Sequence, residues 1–217
     1  LMVAGMQAKL GSSLKALGAA KKAIPLYERS LATRRSKQGP VHLDTLTSMN
    51  DLAATYQLAG KFDLALPLLV ESLKLGKDTL GADHTDTHAA RERLAFGYWS
   101  AGKIAEALPL FKATHERAQA QLGPDHPNTL HVLGNLATCY TLLGKPDQAL
   151  PINEEILKLR RAKLGPDHPN TLMALGNLAH AYWSAGKHDL ALPLSEETFK
   201  RRKVVLGMDH PLSLIHI

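Results

Sequence analysis

The chain has 217 residues, a formal net charge of +6 and a pI near 9.4. Its single cysteine, Cys139, excludes an internal disulfide, and no apolar run approaches the roughly 18 residues that a membrane-spanning helix needs. The stretch from Leu1 to Ala20 lacks the organisation of a signal peptide, so we expect a cytoplasmic protein that does not enter a membrane.

The sequence repeats itself with a fixed period. Gly123 and Gly165 are 42 residues apart, and an Asp-His-Pro triplet follows each of them at the same distance. A period of this size is typical of stacked helix-pair repeats. In chain order we predict one continuous array over 1–211. It consists of a partial pair over 1–38, full repeats over 39–80, 81–122, 123–164 and 165–206, and an incomplete repeat from 207.

Each full repeat carries two helical patterns. The first helix of repeat 123–164 has its apolar side chains on one stripe: Leu130, Leu133, Leu136, Ala137 and Tyr140. Either Asp125 or Asn128 is a suitable N-cap, and Gly144 ends the helix. With Asp147 as the cap of the second helix, Pro151 is the fourth helical residue and forfeits only the first intrahelical bond. Proline recurs at this register in every pair: Pro25, Pro67, Pro109, Pro151 and Pro193.

Small residues recur where the two helices of a pair approach closely. They are Ala53, Ala95, Ala137 and Ala179 in the first helices and Ala65, Ala107, Ala149 and Ala191 in the second. Each pair has an apolar stripe that it cannot bury alone, so neighbouring pairs must cover it. Repeat 81–122 diverges most, because His88 and Arg91 replace leucines. We expect either weaker packing or a special contact there.

The motif Asn-Leu-Ala-x-x-Tyr, followed by Gly-Lys and by Ala-Leu-Pro-Leu, resembles the tetratricopeptide repeat. The long form with Leu-Gly-x-Asp-His-Pro between repeats is similar to the variant of kinesin light chains and many bacterial repeat proteins. The resemblance covers almost the whole chain. It implies an all-α, right-handed α-solenoid of antiparallel helix pairs. It also implies a protein–protein interaction scaffold that binds a peptide segment in a concave groove.

In that family the first helices of the pairs line the groove. Carried over by position, the resemblance implies a groove lined by Lys9, Asp51, Gln57, Arg93, Phe96, Trp99, Asn135, Thr138, Asn177, His180 and Trp183. Asparagine amides can hold an extended peptide backbone, and tryptophan offers a large, rigid contact area, so we expect Trp99 and Trp183 to be at least partly exposed. The alternative is that these residues form the solvated side of the helices. Asp51 and Arg93 depart from the usual asparagine.

One histidine recurs in each repeat: His42, His84, His126, His168 and His210. Stacked helices lie about 8–10 Å apart, whereas zinc needs its ligand atoms about 2 Å away. We therefore expect these histidines to hydrogen-bond at helix starts and to bind no metal. The chain has no Gly-rich phosphate loop and no recurring nucleophile with its base, so we predict neither a cofactor nor an enzyme.

The positive net charge raises the question of whether the chain binds nucleic acid. Many of the cations lie in the last turns of second helices, where they favour the helix dipole, and this argues against it. Three functions stay open. The chain is a free-standing peptide-binding adaptor, the recruiting or regulatory region of a larger bacterial signalling enzyme such as a Ser/Thr kinase, or a basic RNA-binding solenoid.

Both ends of the chain look cut and carry no capping helix. We expect fraying or end-to-end self-association there, with 123–206 the most ordered part. Residues 212–217 are interpreted as a non-native tail, similar to translated sequencing adaptor. The alternative is that they begin a sixth repeat.

Overall fold

The computed structural model describes residues 1–206, which form ten α-helices and no strand. The helices are α1 (Met2–Ala16), α2 (Ala20–Gln38), α3 (Leu43–Leu58), α4 (Phe62–Leu80), α5 (Thr85–Ser100), α6 (Ile104–Leu122), α7 (Pro127–Leu142), α8 (Pro146–Leu164), α9 (Pro169–Ser184) and α10 (His188–Leu206). The predicted all-α fold is confirmed. The predictions for His210, for the incomplete repeat from 207 and for the tail 212–217 lie outside the described residues.

The chain divides into two compact units, Leu1–Leu110 and Phe111–Ile217, with the boundary inside α6. In the first unit, each helix from α1 to α5 packs against the next, and α3 also contacts α5. In the second unit, α7 to α10 pack in the same succession, and α7 also contacts α9. Each unit is therefore built from consecutive helix pairs. One continuous array over 1–211 stays a prediction.

Histidines cap the first helices of four pairs. At the starts of α3, α5, α7 and α9, the histidine Nδ1 accepts a hydrogen bond from the backbone N–H two residues later, at 3.1–3.2 Å. Each bond satisfies one N–H group that a helix start leaves without an intrahelical partner. The predicted caps of α7 are wrong, because His126 is the extended residue directly before the helix. Asp125 lies further out and accepts a hydrogen bond from Lys163 Nζ at 2.8 Å.

The start of α8 also differs from the prediction. Pro146 is its first residue and Lys145 its cap, so Pro151 is the sixth helical residue and not the fourth. The bond that the Asp147 carbonyl would accept is therefore missing inside the helix and not at its very start. All five repeated prolines are exposed, which places the interrupted bond on the side of the helix where water can replace it.

Buried alanines lie where the helices of a pair meet. All eight of the recurring alanines are fully buried, as expected for positions of close approach. The first pair achieves the contact differently. Gly11 stands at the register of Ala53, and a Cβ there would lie 2.8 Å from Tyr27 Cε2. The missing methyl makes room for the fully buried Tyr27 ring, whose hydroxyl lies 2.9 Å from Ser12 Oγ.

The divergent repeat contains a polar contact in place of two leucines. His88 is 8% exposed on α5, and the Arg91 guanidinium is hydrogen-bonded to its Nδ1. Arg91 Nη2 also donates to the Ala82 carbonyl at 3.5 Å. The structure shows this polar contact within the repeat, and weaker packing there stays a prediction.

Tyrosine hydroxyls tie consecutive pairs together within each unit. Tyr56 donates to Glu28 Oε1 at 2.6 Å in the first unit, and Tyr182 donates to Glu154 Oε1 at 2.6 Å in the second. Burial, together with the Glu28 carboxylate, raises the pKa of Tyr56 to about 12. The phenol is therefore protonated at neutral pH and remains a hydrogen-bond donor.

Within residues 1–206, no helix combines the length and the apolar composition that a membrane span requires. Apolar side chains are exposed near both ends of the described range, with Met2 76% and Val204 80% exposed. The predicted end-to-end self-association needs such surfaces, and it stays a prediction.

Ala137 tests the close helix contact. Ala137→Leu is expected to lower the free energy of unfolding by about 1–3 kcal/mol, because the added side chain overpacks a fully buried site. Urea or thermal unfolding measures the change. Ala162→Leu is the matched control, since Ala162 is exposed on α8, and it should change stability by less than about 0.5 kcal/mol. Equal stability of the Ala137 variant and the wild type would contradict the close packing.

His126 tests the histidine caps. His126→Ala should cost about 1 kcal/mol, because the N–H of Asn128 loses its acceptor, and His126→Asn should restore most of it. The control is His131→Ala, at an exposed position within the same helix. If the two alanine variants unfold at the same denaturant concentration, the cap contributes nothing.

Candidate functional site

The helices α3 and α5, the first helices of two consecutive pairs in the first unit, each carry a stripe of side chains that lines a cavity. Residues three or four apart lie on one face of a helix. The stripe on α3 consists of Thr47, Asn50, Asp51, Ala54, Gln57 and Leu58. The stripe on α5 consists of Asp86, Ala90, Arg93, Phe96 and Ser100. Two cavities open along these stripes, one near the helix starts and one near the helix ends.

The cavity near the helix starts, called here the proximal cavity, has a volume of about 250 Å³. Its walls are α3 and α5, and α4 contributes Ser72, Gly76 and Leu80. Two predicted site residues, Asp51 and Arg93, line it together. Asn50 lines it as well, and its buried Oδ1 has no hydrogen-bond partner within residues 1–206.

The cavity near the helix ends, called here the distal cavity, has a volume of about 590 Å³ and is formed by three first helices together with Phe62. Its lining consists of Ser12, Lys15 and Ala16 of α1, Ala54, Gln57 and Leu58 of α3, Phe62, and Phe96 and Ser100 of α5. Gln57 and Phe96 are predicted site residues. A Cβ at Gly97 would lie 3.0 Å from Gln57 Nε2, so the glycine leaves room for this side chain. Most of the lining side chains are apolar or small, and Lys15 and Gln57 supply polar groups.

The remaining predicted residues of the first unit lie apart from these cavities. Lys9 is exposed on α1, and Trp99 is half-buried on α5. Neither lines the proximal or the distal cavity. The structure therefore brings together Asp51 with Arg93 and Gln57 with Phe96.

In the second unit the predicted residues lie on α7 and α9. Asn135 is half-buried, and its buried Nδ2 has no hydrogen-bond partner within residues 1–206. Thr138 donates to the Gly134 carbonyl of its own helix at 3.0 Å. Asn177 and His180 are exposed. Trp183 is 45% exposed, with its ring centroid 4.4 Å from that of His188 in an edge-on arrangement.

The two tryptophans are at least partly exposed, as predicted. The side of the array on which they lie stays a prediction. Asn50, Lys15 and Gly76 also line the two cavities, and the sequence prediction does not include them. For Gly76 a signal exists in the sequence, because arginine stands at the same register in three other pairs.

Two further kinds of site come into question, a reactive cysteine and a metal site. Burial raises the pKa of Cys139 to about 11, so the thiol is protonated at neutral pH and is a poor nucleophile. Within residues 1–206, no group of three or more His, Cys, Asp or Glu side chains is placed to hold a metal ion. The two cavities of the first unit are the candidate binding site, because four of the predicted site residues line them.

Comparison with known proteins agrees with this architecture. The family profile described as tetratricopeptide repeat matches residues 2–78, 86–162 and 135–203. No curated protein sequence matches the chain. Nearly identical TPR-like repeats assigned to a kinesin light chain of Podosopora anserina are 26% identical, with a TM-score of 0.84, covering 92% of this chain and 94% of that one. A variant of the same repeats with one substitution is 25% identical, with a TM-score of 0.84 and coverages of 93% and 95%.

A more distant structure, YrrB, is described as a TPR protein with an unusual peptide-binding site. It is 15% identical with a TM-score of 0.60, covering 96% of this chain and 88% of that one, and shows likeness of fold alone. The profile matches most of the chain, and the consecutive helix pairs are those of an α-solenoid. The chain therefore belongs to the tetratricopeptide repeat family, and its repeats are of the kinesin-light-chain-like kind.

Proposed function

We propose that the chain is a protein–protein interaction scaffold whose first unit binds an extended peptide segment along α1, α3 and α5. The observation that carries this proposal is the distal cavity. It is lined by three first helices and Phe62, and its volume of about 590 Å³ is large enough to admit a peptide side chain. A side chain that fills it would remove apolar surface from water.

The lining suits a peptide in two respects. Phe96 is 43% exposed and Leu58 66% exposed, and exposed side chains of this size contribute to binding when a partner covers them. Gln57 carries an amide that both donates and accepts, so it can pair with a peptide backbone. The peptide-binding relative of the same fold supports the proposal by analogy only.

The charges favour a protein ligand over RNA. Several of the cations are held in ion pairs: Arg35 with Glu71, Lys163 with Asp125, Arg161 with Glu197, and Arg201 with Asp167 and Glu197. A cation already paired with a carboxylate gains less from a phosphate, whereas RNA affinity depends on phosphate contacts. The peptide proposal holds both for a free-standing adaptor and for the recruiting region of a larger signalling enzyme.

Peptides selected from a random library on the immobilised protein test this function. We expect Phe96→Ala and Gln57→Ala each to weaken binding of the selected peptides, with at least about a tenfold loss for Phe96→Ala, or about 1.4 kcal/mol. Fluorescence anisotropy with labelled peptides measures the affinities. Phe199→Ala is the matched control, because Phe199 is 40% exposed on α10 in the other unit.

Circular dichroism should show that each variant is folded before its affinity is compared. Selected peptides that bind the double variant at Phe96 and Gln57 as tightly as the wild type would refute the proposed surface. Recovery of no peptide by the folded wild-type protein would also count against it.

A further inference from the structure

One position of the repeat, in the second helices, holds either arginine or a small residue. It holds Arg34 in α2, Gly76 in α4, Ala118 in α6, Arg160 in α8 and Arg202 in α10, each 42 residues from the next. Arg34, Arg160 and Arg202 therefore show which groups an arginine side chain at this position contacts. Gly76 shows the same position without a side chain.

The arginines at this register reach first helices on either side. Arg34 Nη1 donates to the Asp44 carbonyl at 2.9 Å and to Ser48 Oγ at 2.7 Å. Arg160 Nη1 donates to the Asn170 carbonyl at 2.9 Å, and Asn170 has the same register as Asp44. Both guanidinium groups thus lie against the first turn of the helix that follows.

Arg202 contacts the first helix of its own pair. Its Nη2 donates to the Leu172 carbonyl at 3.3 Å and would lie 3.0 Å from a Cβ at Gly176. In all three pairs the guanidinium therefore hydrogen-bonds a backbone carbonyl of a neighbouring first helix.

The proximal cavity occupies the corresponding place beside Gly76. Its lining includes Asp86 and Ala90, at the registers of Asp44 and Ser48, and Leu46 and Asn50, at the registers of Leu172 and Gly176. The residues that surround a guanidinium in other pairs therefore surround an open cavity here.

The cavity is lined by hydrogen-bond acceptors. Asn50 Oδ1 is buried without a partner within residues 1–206, and Asp51 and Asp86 supply two carboxylates. Arg93 is the one cation among the described residues that line the cavity. A cation entering the cavity would thus lie beside two carboxylates and the Arg93 guanidinium, with the unpaired Asn50 oxygen buried in the wall.

We propose that the proximal cavity binds the arginine side chain of a partner peptide, in the place that the chain's own arginines occupy in other pairs. This inference rests on the proposed function, because the peptide would run along the same stripes of α3 and α5. A guanidinium suits the cavity better than an ammonium. It is planar, carries five N–H donors, and remains charged when it is removed from water. Arg160, which is 7% exposed, shows that this register accepts a buried guanidinium.

The spacing of the two cavities sets the peptide sequence. From Asp51 to Gln57 the α3 axis rises about 9 Å at 1.5 Å per residue. An extended peptide covers this distance in about three residues. The preferred ligand therefore carries an arginine and an apolar side chain about three positions apart, with arginine in the proximal cavity and the apolar group against Phe96.

Small probes test the cavity without knowledge of the natural partner. N-acetyl-arginine methylamide is titrated into ¹⁵N-labelled protein, in parallel with the corresponding lysine, citrulline and glutamate derivatives. We expect saturable shifts of the Asn50 side-chain amide and of the Gly76 and Asp86 backbone amides with the arginine probe. The neutral citrulline probe should bind at least about tenfold more weakly, since it lacks the charge.

Variants at Gly76 provide the matched control. Gly76→Arg should abolish binding of the arginine probe, because it supplies the side chain found at this register in α2 and α8. Gly76→Met, which fills the cavity without charge, should do the same. Gly76→Ala should retain binding, since its Cβ would contact Thr87 Oγ1 at 3.2 Å and leave most of the cavity open.

Several results would overturn the proposal. They are equal binding of the citrulline or lysine probe, stronger shifts from the glutamate probe, and arginine binding that persists in folded Gly76→Arg and Gly76→Met. Absence of saturable shifts with wild-type protein would overturn it without any variant. If selected peptides lose affinity on Phe96→Ala but not on Gly76→Arg, only the arginine pocket fails. If the arginine probe binds but no selected peptide does, the proposed function fails instead.

Discussion

Close contact between helices at buried alanines is the constraint on which every pair depends. Side chains as small as Ala53 and Ala65 let two helix backbones approach, and the larger apolar residues around them then meet the next pair. Where the first pair carries Gly11 in place of alanine, a buried tyrosine ring takes the released volume. The smaller residue and the larger ring together keep the two helices of the first pair in contact. Histidine caps start most of the described first helices, so each of these helix pairs begins and packs in nearly the same way.

A scaffold of this kind leaves recognition to the residues that differ between repeats. A cavity lies beside Gly76 at the repeat position where Arg34 and Arg160 place a guanidinium against the next helix. Gly97 similarly leaves room for the Gln57 amide beside the distal cavity. At Gly76 the missing side chain leaves a cavity that two first helices line, whereas at Gly97 it leaves room for the Leu69 and Gln57 side chains. The proposed binding surface of the first unit therefore lies on α3, α4 and α5, with α1 lining the distal cavity.

The helix pairs and their buried alanines are predictable from the sequence, because period and small-residue spacing are local information. The caps are not. Histidine is outside the residues that usually cap helices, and Pro146 begins α8 one residue before the predicted cap. The site is predictable in part. Position in the repeat identifies Asp51, Arg93, Gln57 and Phe96 as ligand contacts, but the cavity beside Asp51 and Arg93 depends on the missing side chain at Gly76. Position in the repeat alone does not identify a lining residue, because Trp99 occupies the same repeat position as Gln57 yet lines neither cavity.

The central claim is that a peptide lies along the first helices of the first unit. Intermolecular nuclear Overhauser effects between a selected peptide and the isotope-labelled protein test it most directly. We expect contacts from peptide protons to the Gln57 side-chain amide and to the Phe96 ring. Contacts confined to exposed side chains of the second helices, such as Val70 and Lys74 on α4, would contradict it.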